Sequence, residues 1–343
     1  MTGAAKLDPS HLLQVGMGFW ASKTLLTAVE LDVFTAIGAE SVTASELATR
    51  LGLHPRAVPD FPDALVALRV LDRDGDGEAA RYRNTPESKA FLDSKSPQYF
   101  AGFLEMCNAR LYRYWGDLGE ALKTGKPQNE VKHSGEGIFA KLYESPERLD
   151  QFMRAMRGIS QANFDALAAT FDFSKYKTMC DVGGATAQLS CAVASAHPHM
   201  RCTSIDLPAV VPIAGRYIAE AGLSARVTSA SCDFFTDDLP KADVITMGMI
   251  LHDWNLEKKK LLVRKAYDAL PKRGAFVVVE ALIDDARREN AFGLLMSLNM
   301  LIEFGDAFDY TARDFFGWSR EVGFREFAVI KLAGPSSAAI AYK

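Results

Sequence analysis

His252 stands where an apolar run, Ala242 to Leu251, gives way to a charged stretch of helical periodicity, Glu257 to Leu270. The pattern predicts a strand, a short loop carrying the imidazole, then a helix. In open sheets of alternating strands and helices, ligands gather at the carboxyl ends of the strands. An imidazole, whose ordinary pKa is about 6.5, exchanges a proton there near neutrality. General-base chemistry is what this address suggests, although a histidine at a strand end also serves as a structural cap.

Neighbouring strand ends carry matching signals. Asp181, Val182, Gly183 and Gly184 close the first predicted strand just before a helix, and small residues let backbone N–H groups approach a bound group closely. Asp206, followed by Leu207 and Pro208, closes the second, where a carboxylate accepts hydrogen bonds from both hydroxyls of a ribose. The third closes in Asp233 and Phe234, a carboxylate for an adenine amino group and an aromatic face. Met247 and Gly248 lie on the strand before His252, beside the same crevice. Each signal alone has a plainer reading, a packing turn or a helix cap. In this order they describe a nucleoside pocket. NAD is the weaker occupant, because Ala185 and Gln188 interrupt the G-x-G-x-x-G pattern.

These residues need a sheet to position them. Strands are predicted at Thr178–Val182, Arg201–Asp206, Val227–Cys232, Val244–Leu251, Ala275–Ala281, Glu326–Lys331 and Ala338–Tyr342, with helices between nearly all of them. Such alternation requires parallel pairing with right-handed crossovers. The last two strands are separated only by Leu332 to Ser337, too short for a crossover, so they form an antiparallel hairpin. Residues before Phe171 show almost only helical periodicity, which places the domain boundary at 170/171. Within them, Thr43 to Glu46 is a capping box with Gly52 as the stop. A second helix from about Pro59 to Val70 runs into Asp-Gly turns and a returning arm at Ala80 to Asn84. Helix, helix and hairpin make a winged-helix arrangement.

Composition limits the rival functions. The 343 residues are 48% hydrophobic with a formal charge of -4, which suits a packed enzyme and disfavours a partner held by phosphate neutralisation. A winged-helix DNA-binding ligand sensor is the competing reading, but Pro55 to Val70 sets only Arg56 and Arg69 against Asp60 and Asp63. No apolar run reaches the ~18 residues of a membrane span, and the first residues do not read as a signal peptide, so a cytoplasmic location is expected. The five cysteines lack Cys-x-x-Cys spacing and read as free thiols. No His/Asp/Glu group has metal-ligand spacing, so no metal is expected. The apolar segment Leu12 to Ile37 needs a cover, and a twofold partner is the preferred one.

The series Asp181–Gly184, Ile205–Pro208, Asp233–Phe235, Leu251–Trp254 and Val277–Glu280, behind a winged-helix module, resembles the S-adenosylmethionine-dependent O-methyltransferases. The likeness is closest to bacterial small-molecule relatives of the plant caffeate and isoflavone enzymes and of acetylserotonin O-methyltransferase. Tyr82 to Pro86, Trp115 to Leu118 and Gly125 to Asn129 extend it over nearly the whole chain. The resemblance implies an α/β class I methyltransferase domain, Rossmann-like with a mostly parallel seven-stranded sheet, plus an N-terminal helical dimerisation domain. It implies S-adenosyl-L-methionine as cofactor, S-adenosyl-L-homocysteine as product, and a homodimer acting on a hydrophobic, aromatic small molecule. Methylation of nitrogen or carbon, or cofactor binding without transfer, are the alternatives.

The same resemblance makes His252 the general base, bracketed by Glu280 and by Asp309, where the family usually has Glu. It assigns the acceptor walls to Met153, Met156, Phe164, Met249, Asp253, Met296, Met300 and Phe304, each of which by itself also suits an ordinary core. The chain departs from the family at three further places. Ala185 is a mild change in the glycine turn, whereas Ala187 replaces its last glycine, where an added methyl is expected to crowd the methionine moiety or to demand a φ that alanine disfavours. Gly248 replaces a frequent lysine or other polar group.

Overall fold

Local signals before Tyr112 fold as their chemistry dictates in the computed structural model, which describes residues 7–133, 143 and 145–343. Thr43 Oγ1 accepts the Glu46 N–H at 3.1 Å while the Glu46 carboxylate accepts the Thr43 N–H at 2.7 Å, and this reciprocal cap opens the helix Ala44–Leu51. Gly52, at φ +64°, ends it. The helix Asp60–Ala67 follows, and β1 (Val42–Thr43), which precedes both helices, joins β2 (Leu71–Asp74) and β3 (Arg81–Asn84), which come after them, in one antiparallel sheet of order β1-β3-β2. The early apolar segment has two fates. Leu26, Val29 and Phe34 are buried in this unit's core, whereas Leu12, Val15, Phe19 and Trp20 are exposed on the helices Ser10–Gly16 and Gly18–Glu30.

The second compact unit runs over Arg113–Lys343. The change of periodicity at 170/171 therefore does not coincide with the division of the chain. The long helix Pro146–Thr170 packs along Gln188–Ala196 in this unit, with Gln188 Nε2 donating to the Arg157 carbonyl at 3.0 Å. Seven strands, β4 (Thr178–Val182), β5 (Arg201–Asp206), β6 (Val227–Ser231), β7 (Val244–Gly248), β8 (Ala275–Glu280), β9 (Glu326–Lys331) and β10 (Ser337–Tyr342), form one sheet in the order β6-β5-β4-β7-β8-β10-β9. All pairs from β6 to β8 are parallel, and β10 pairs antiparallel with both β8 and β9. The expected hairpin is present, with its second arm inserted between β8 and the first. Apolar side chains fill both faces of the sheet, with Val182, Ile245 and Val278 among those on one and Val244, Val277 and Ile340 on the other.

The strand before His252 ends earlier than expected, at Gly248 rather than Leu251. Met249 takes φ +56°, which breaks the extended backbone although its N–H still reaches the Val279 carbonyl at 2.9 Å. Leu251–Asp253 then form a single 3₁₀ turn. Among the described residues no helix is long and apolar enough to cross a membrane. All five cysteines are free, and burial pushes the thiols up, to about 12 at Cys202.

Candidate active site

Parallel register sets Asp181 on β4 beside Ser204 on β5 and Thr246 on β7. Thr246 Oγ1 donates to Asp181 Oδ1 at 2.7 Å, and burial raises this carboxyl to about 7. Asp181 thus braces the underside of the turn that follows it. Gly183 (φ +68°) and Gly184 both donate their N–H to the Ile205 carbonyl, at 2.9 and 3.2 Å. A Cβ at Gly183 would collide with Ile250, and one at Gly184 with Ser204 Oγ, so only glycine permits so tight a turn against the neighbouring strands.

The turn continues through Ala185 and Ala187, both at positive φ, +48° and +58°. Alanine has adopted the glycine-like conformation, which is the second of the two outcomes its presence implied. The reward is visible at Ala185, whose N–H donates to Asp206 Oδ2 at 3.0 Å while the Leu207 N–H donates to Oδ1 at 2.8 Å. The Asp206 carboxylate is thereby fixed at the end of β5. Burial raises its pKa, and the two N–H groups oppose the rise. Asp233 spends Oδ1 on the Phe235 N–H at 2.9 Å, and Phe234 lies edge-on to Phe235 and Trp254 at 4.8 and 6.1 Å. Leu207 and Phe234 are half-buried along the same edge, whereas the side chain of Met247 is fully buried in the core beneath it.

His252 is 4% exposed. Its Nδ1 lies 3.3 Å from Asp309 Oδ1 and its Nε2 3.3 Å from Asp253 Oδ1. Glu280, at the end of β8, meets a different part of the residue: Oε1 accepts the His252 backbone N–H and the Tyr310 hydroxyl, each at 3.4 Å. The shorter acid, Asp309, is the one beside the ring. It is held by its own N–H donating to Ser297 Oγ at 3.1 Å and by the neighbouring bridge from the Ile283 N–H to the Tyr310 carbonyl at 3.0 Å. Burial alone lowers the His252 pKa, but the fields of Glu280, Asp253 and Asp309 overcome it and raise it to about 10. Burial also raises Asp253 to about 6 and Glu280 to about 7. Protons in this cluster are shared at modest cost. Glu280 Oε2 and Asp309 Oδ2 are buried without hydrogen-bond partners among the described residues.

The expectation that no ligand-like group exists is corrected here, because the fold brings one atom each of His252, Glu280 and Asp309 within 4.8 Å of one another from three separate elements. Spacing along the chain hid it. The cluster already has a buried cation near it. Lys259 is fully buried, its ammonium donates to the Trp254 carbonyl, and it lies in the fields of Glu280, Asp309 and Asp253.

The other candidate wall residues separate into two groups. Phe164 presses on Gly248, where a Cβ would come within 2.9 Å of its ring, which explains why no larger side chain stands there. Met249 is half-buried with Ser160 Oγ 3.8 Å from its sulfur, Phe304 tilts against Trp254 at 6.4 Å, and Met156 and Met296 are half-buried. Met300 is buried, and its neighbour Asn299 accepts from Trp115 Nε1 at 2.9 Å. Met153 instead packs with Leu149 and Val210 against Ala185, on the side of the glycine turn. Two residues were missed in the sequence. Tyr143 joins that Met153 cluster, and burial, then the charges of Asp206 and Asp253, raise its pKa. Lys259, within the charged helix expected from Glu257 to Leu270, shares the buried stripe with Leu262, Val263 and Ala266 at helical spacing.

Comparison with known proteins agrees with this geometry. Residues 115–325 match the O-methyltransferase domain and residues 13–94 the O-methyltransferase dimerisation domain. The chain is 37% identical to the tetracenomycin polyketide synthesis 8-O-methyl transferase TcmO of Streptomyces glaucescens, over 98% of this chain and 97% of the relative. It is also 37% identical to the N,N-dimethyltransferase OxyT of Streptomyces rimosus, over 92% and 90%. The crystal structure of human N-acetylserotonin methyltransferase in complex with SAM superposes with a TM-score of 0.90 at 28% identity, covering 100% of this chain and 99% of that one. The collision-guarded glycine turn and the anchored Asp206 carboxylate fit an adenosine-bearing cofactor on observations of this chain alone. The chain belongs to the S-adenosylmethionine-dependent O-methyltransferase family.

Proposed function

We propose that this enzyme methylates a hydroxyl of a hydrophobic, aromatic small molecule, with His252 as general base. The observation that carries the reading is the imidazole of His252 at the carboxyl end of β7, backed by Asp309 at 3.3 Å. When bound, S-adenosylmethionine supplies an electrophilic methyl group. Gly183, Gly184, Asp206, Leu207, Asp233 and Phe234 would hold it, with Asp181 supporting the turn from beneath. The remaining task falls to the protein's own groups: to orient the acceptor and to take its proton. Asp309 fixes the ring and stabilises the imidazolium once the proton arrives, while Glu280 and Tyr310 hold the backbone of the same turn. Met156, Phe164, Met249, Met296 and Phe304 offer apolar and polarizable faces to a flat ring, and Asp253 lies beside the base.

The relatives' printed names support an aromatic or polyketide hydroxyl as acceptor. The name of OxyT supports a nitrogen acceptor as the second reading. Mass-shift screening of phenols, naphthols, polyketide aromatics and arylamines with S-adenosylmethionine separates the two. Turnover confined to amines would overturn the hydroxyl assignment. His252→Ala should lower turnover by about 100-fold or more while S-adenosylhomocysteine affinity by calorimetry stays nearly unchanged. Unaltered turnover would reduce the histidine to a structural role.

The His252, Glu280 and Asp309 cluster is read as proton-handling machinery, because Lys259 already supplies the compensating positive charge. Extensive dialysis against EDTA should therefore leave turnover intact; loss restored by one divalent ion would assign the cluster to that metal. The exposed face of Leu12, Val15, Phe19 and Trp20, the last three within the matched dimerisation domain, is proposed to close a homodimer. Nucleic acid is not proposed as a partner, since Asp60 and Asp63 pair with Arg56 and Arg73 at 2.5 and 2.7 Å.

A further inference from the structure

Lys259 has no role in the reading above beyond balancing charge, yet a fully buried lysine is costly and requires a reason. It sits in the first turn of the helix Leu256–Ala269, directly after the 3₁₀ turn that carries His252. Its ammonium is held from two sides, donating to the Trp254 carbonyl and lying 3.7 Å above the centre of the Phe308 ring. Trp254 is the residue that ends the His252 turn, and Phe308 directly precedes Asp309. One charged group thus bridges the segment bearing the imidazole and the segment bearing its acid. Among the described residues no carboxylate comes within ion-pair distance of the ammonium, so its charge acts on the whole cluster through space.

We propose that Lys259 is a positioning residue for methyl transfer, whose clamped ammonium keeps the carboxylates of Asp253 and Glu280 ionised, the form in which they hold the His252 turn and its ring. The proposal rests on His252 being the base. The groups facing Lys259 are Glu280 from β8, Asp253 from the 3₁₀ turn, and Asp306 and Asp309 from the segment before Ala312. Tyr310 faces Glu280, and Glu303 faces Asp253. Burial brings Asp253 to about 6 and Glu280 to about 7, so both stand near the point of protonation at neutral pH. A single nearby positive charge decides which form prevails, and the Lys259 field is among those lowering Asp253. The charge has a limit of its own, since burial lowers the ammonium to about 8 despite the surrounding acids.

Removing the charge raises the proton affinity of every group in the cluster. In Lys259→Gln, which keeps a donor for the Trp254 carbonyl, the acidic limb of the kcat profile should therefore move up by about one pH unit. Lys259→Arg, which keeps the charge, should leave the limb within about a third of a unit of wild type. S-adenosylhomocysteine affinity, measured by calorimetry, should be unchanged in both. A lower kcat with an unshifted limb in Lys259→Gln makes the residue merely structural and overturns the proposal, as does an equal shift in both variants. If the variants do not fold, the His252 ring signals of wild-type protein, assigned by difference with His252→Ala, decide. A second inflection near the Lys259 titration at about 8 is the expected result, and a single smooth titration overturns the proposal. Failure of the base assignment is distinguishable, because His252→Ala would then retain turnover.

Discussion

The two halves of the crevice are built on opposite principles. On the proposed cofactor side, at the ends of β4 and β5, the two carboxylates have backbone or hydroxyl partners: Asp181 takes Thr246, and Asp206 takes the N–H groups of Ala185 and Leu207. On the proton side, around β7 and β8, three acids, an imidazole and an ammonium are buried together with atoms left unpartnered. Carboxylates anchored in this way fix geometry. Under-satisfied ones exchange protons cheaply, which a binding surface avoids and a base requires.

Substitutions that turn one side into the other should break the contrast, and the largest effect belongs to the ring's own partner. Asp309→Ala should lower kcat by about 10- to 100-fold with cofactor affinity nearly unchanged, while Glu280→Gln should cost less, because the hydrogen bonds of Glu280 go to the backbone N–H and Tyr310 and it reaches the ring through its charge. Equal losses would mean that the difference between the ring and backbone contacts has no catalytic consequence. The same acids set the pH dependence. A base works only when deprotonated, and the His252 pKa is raised, so turnover should fall as pH drops and its acidic limb should lie above about 6.5. Asp309→Ala removes one of the raising charges and should move that limb down. A limb that stays in place would assign it to another group.

On the cofactor side the corresponding loss should appear in binding instead. Asp206→Ala forfeits the charge-assisted ribose hydrogen bonds; a net loss of about 1.5–3 kcal/mol should raise the cofactor Kd by about 10- to 150-fold. At saturating cofactor, kcat should stay within about threefold of wild type. A calorimetric Kd equal to wild type would remove Asp206 from the cofactor site.

The contrast also explains what could be read from the chain. Cofactor-side residues are each coded by a strand end and the few residues after it, so Asp181, Gly183, Gly184 and Asp206 were visible from local pattern. The mostly parallel seven-stranded sheet and its terminal hairpin followed from alternation and loop length. The proton side depends on tertiary approach. Asp309 reaches the ring across 57 residues of sequence because Ile283 and Tyr310 bridge two segments, and resemblance, not spacing, pointed to it. Resemblance did not reveal that Asp309, rather than Glu280, is beside the ring. Lys259 was hidden by its charged neighbours Lys258 and Lys260, although the phase of Leu262, Val263 and Ala266 placed it inward. The end of β7 was misread because Ile250 and Leu251 continue the apolar run, and the left-handed Met249 leaves no trace in hydropathy.

The smallest effect tests how rigid the cofactor side is. Ala187 is buried in the core and holds φ +58° and ψ +26° just before the helix Gln188–Ala196. A left-handed alanine costs about 1–2 kcal/mol, because Cβ crowds the following carbonyl. Ala187→Gly relieves that strain, loses one buried methyl at about 0.8 kcal/mol, and adds unfolded-state freedom of about 0.5–1 kcal/mol. These terms nearly cancel, so Tm should stay within about 2 °C of wild type. Ala194, equally buried about two helix turns further on, lies within the helix and has no left-handed strain to release. Ala194→Gly should therefore be the more destabilising of the two by about 1–2 kcal/mol in denaturant unfolding. Equal losses at both positions would show that the turn carries no strain, and that the chain accepts alanine there without cost.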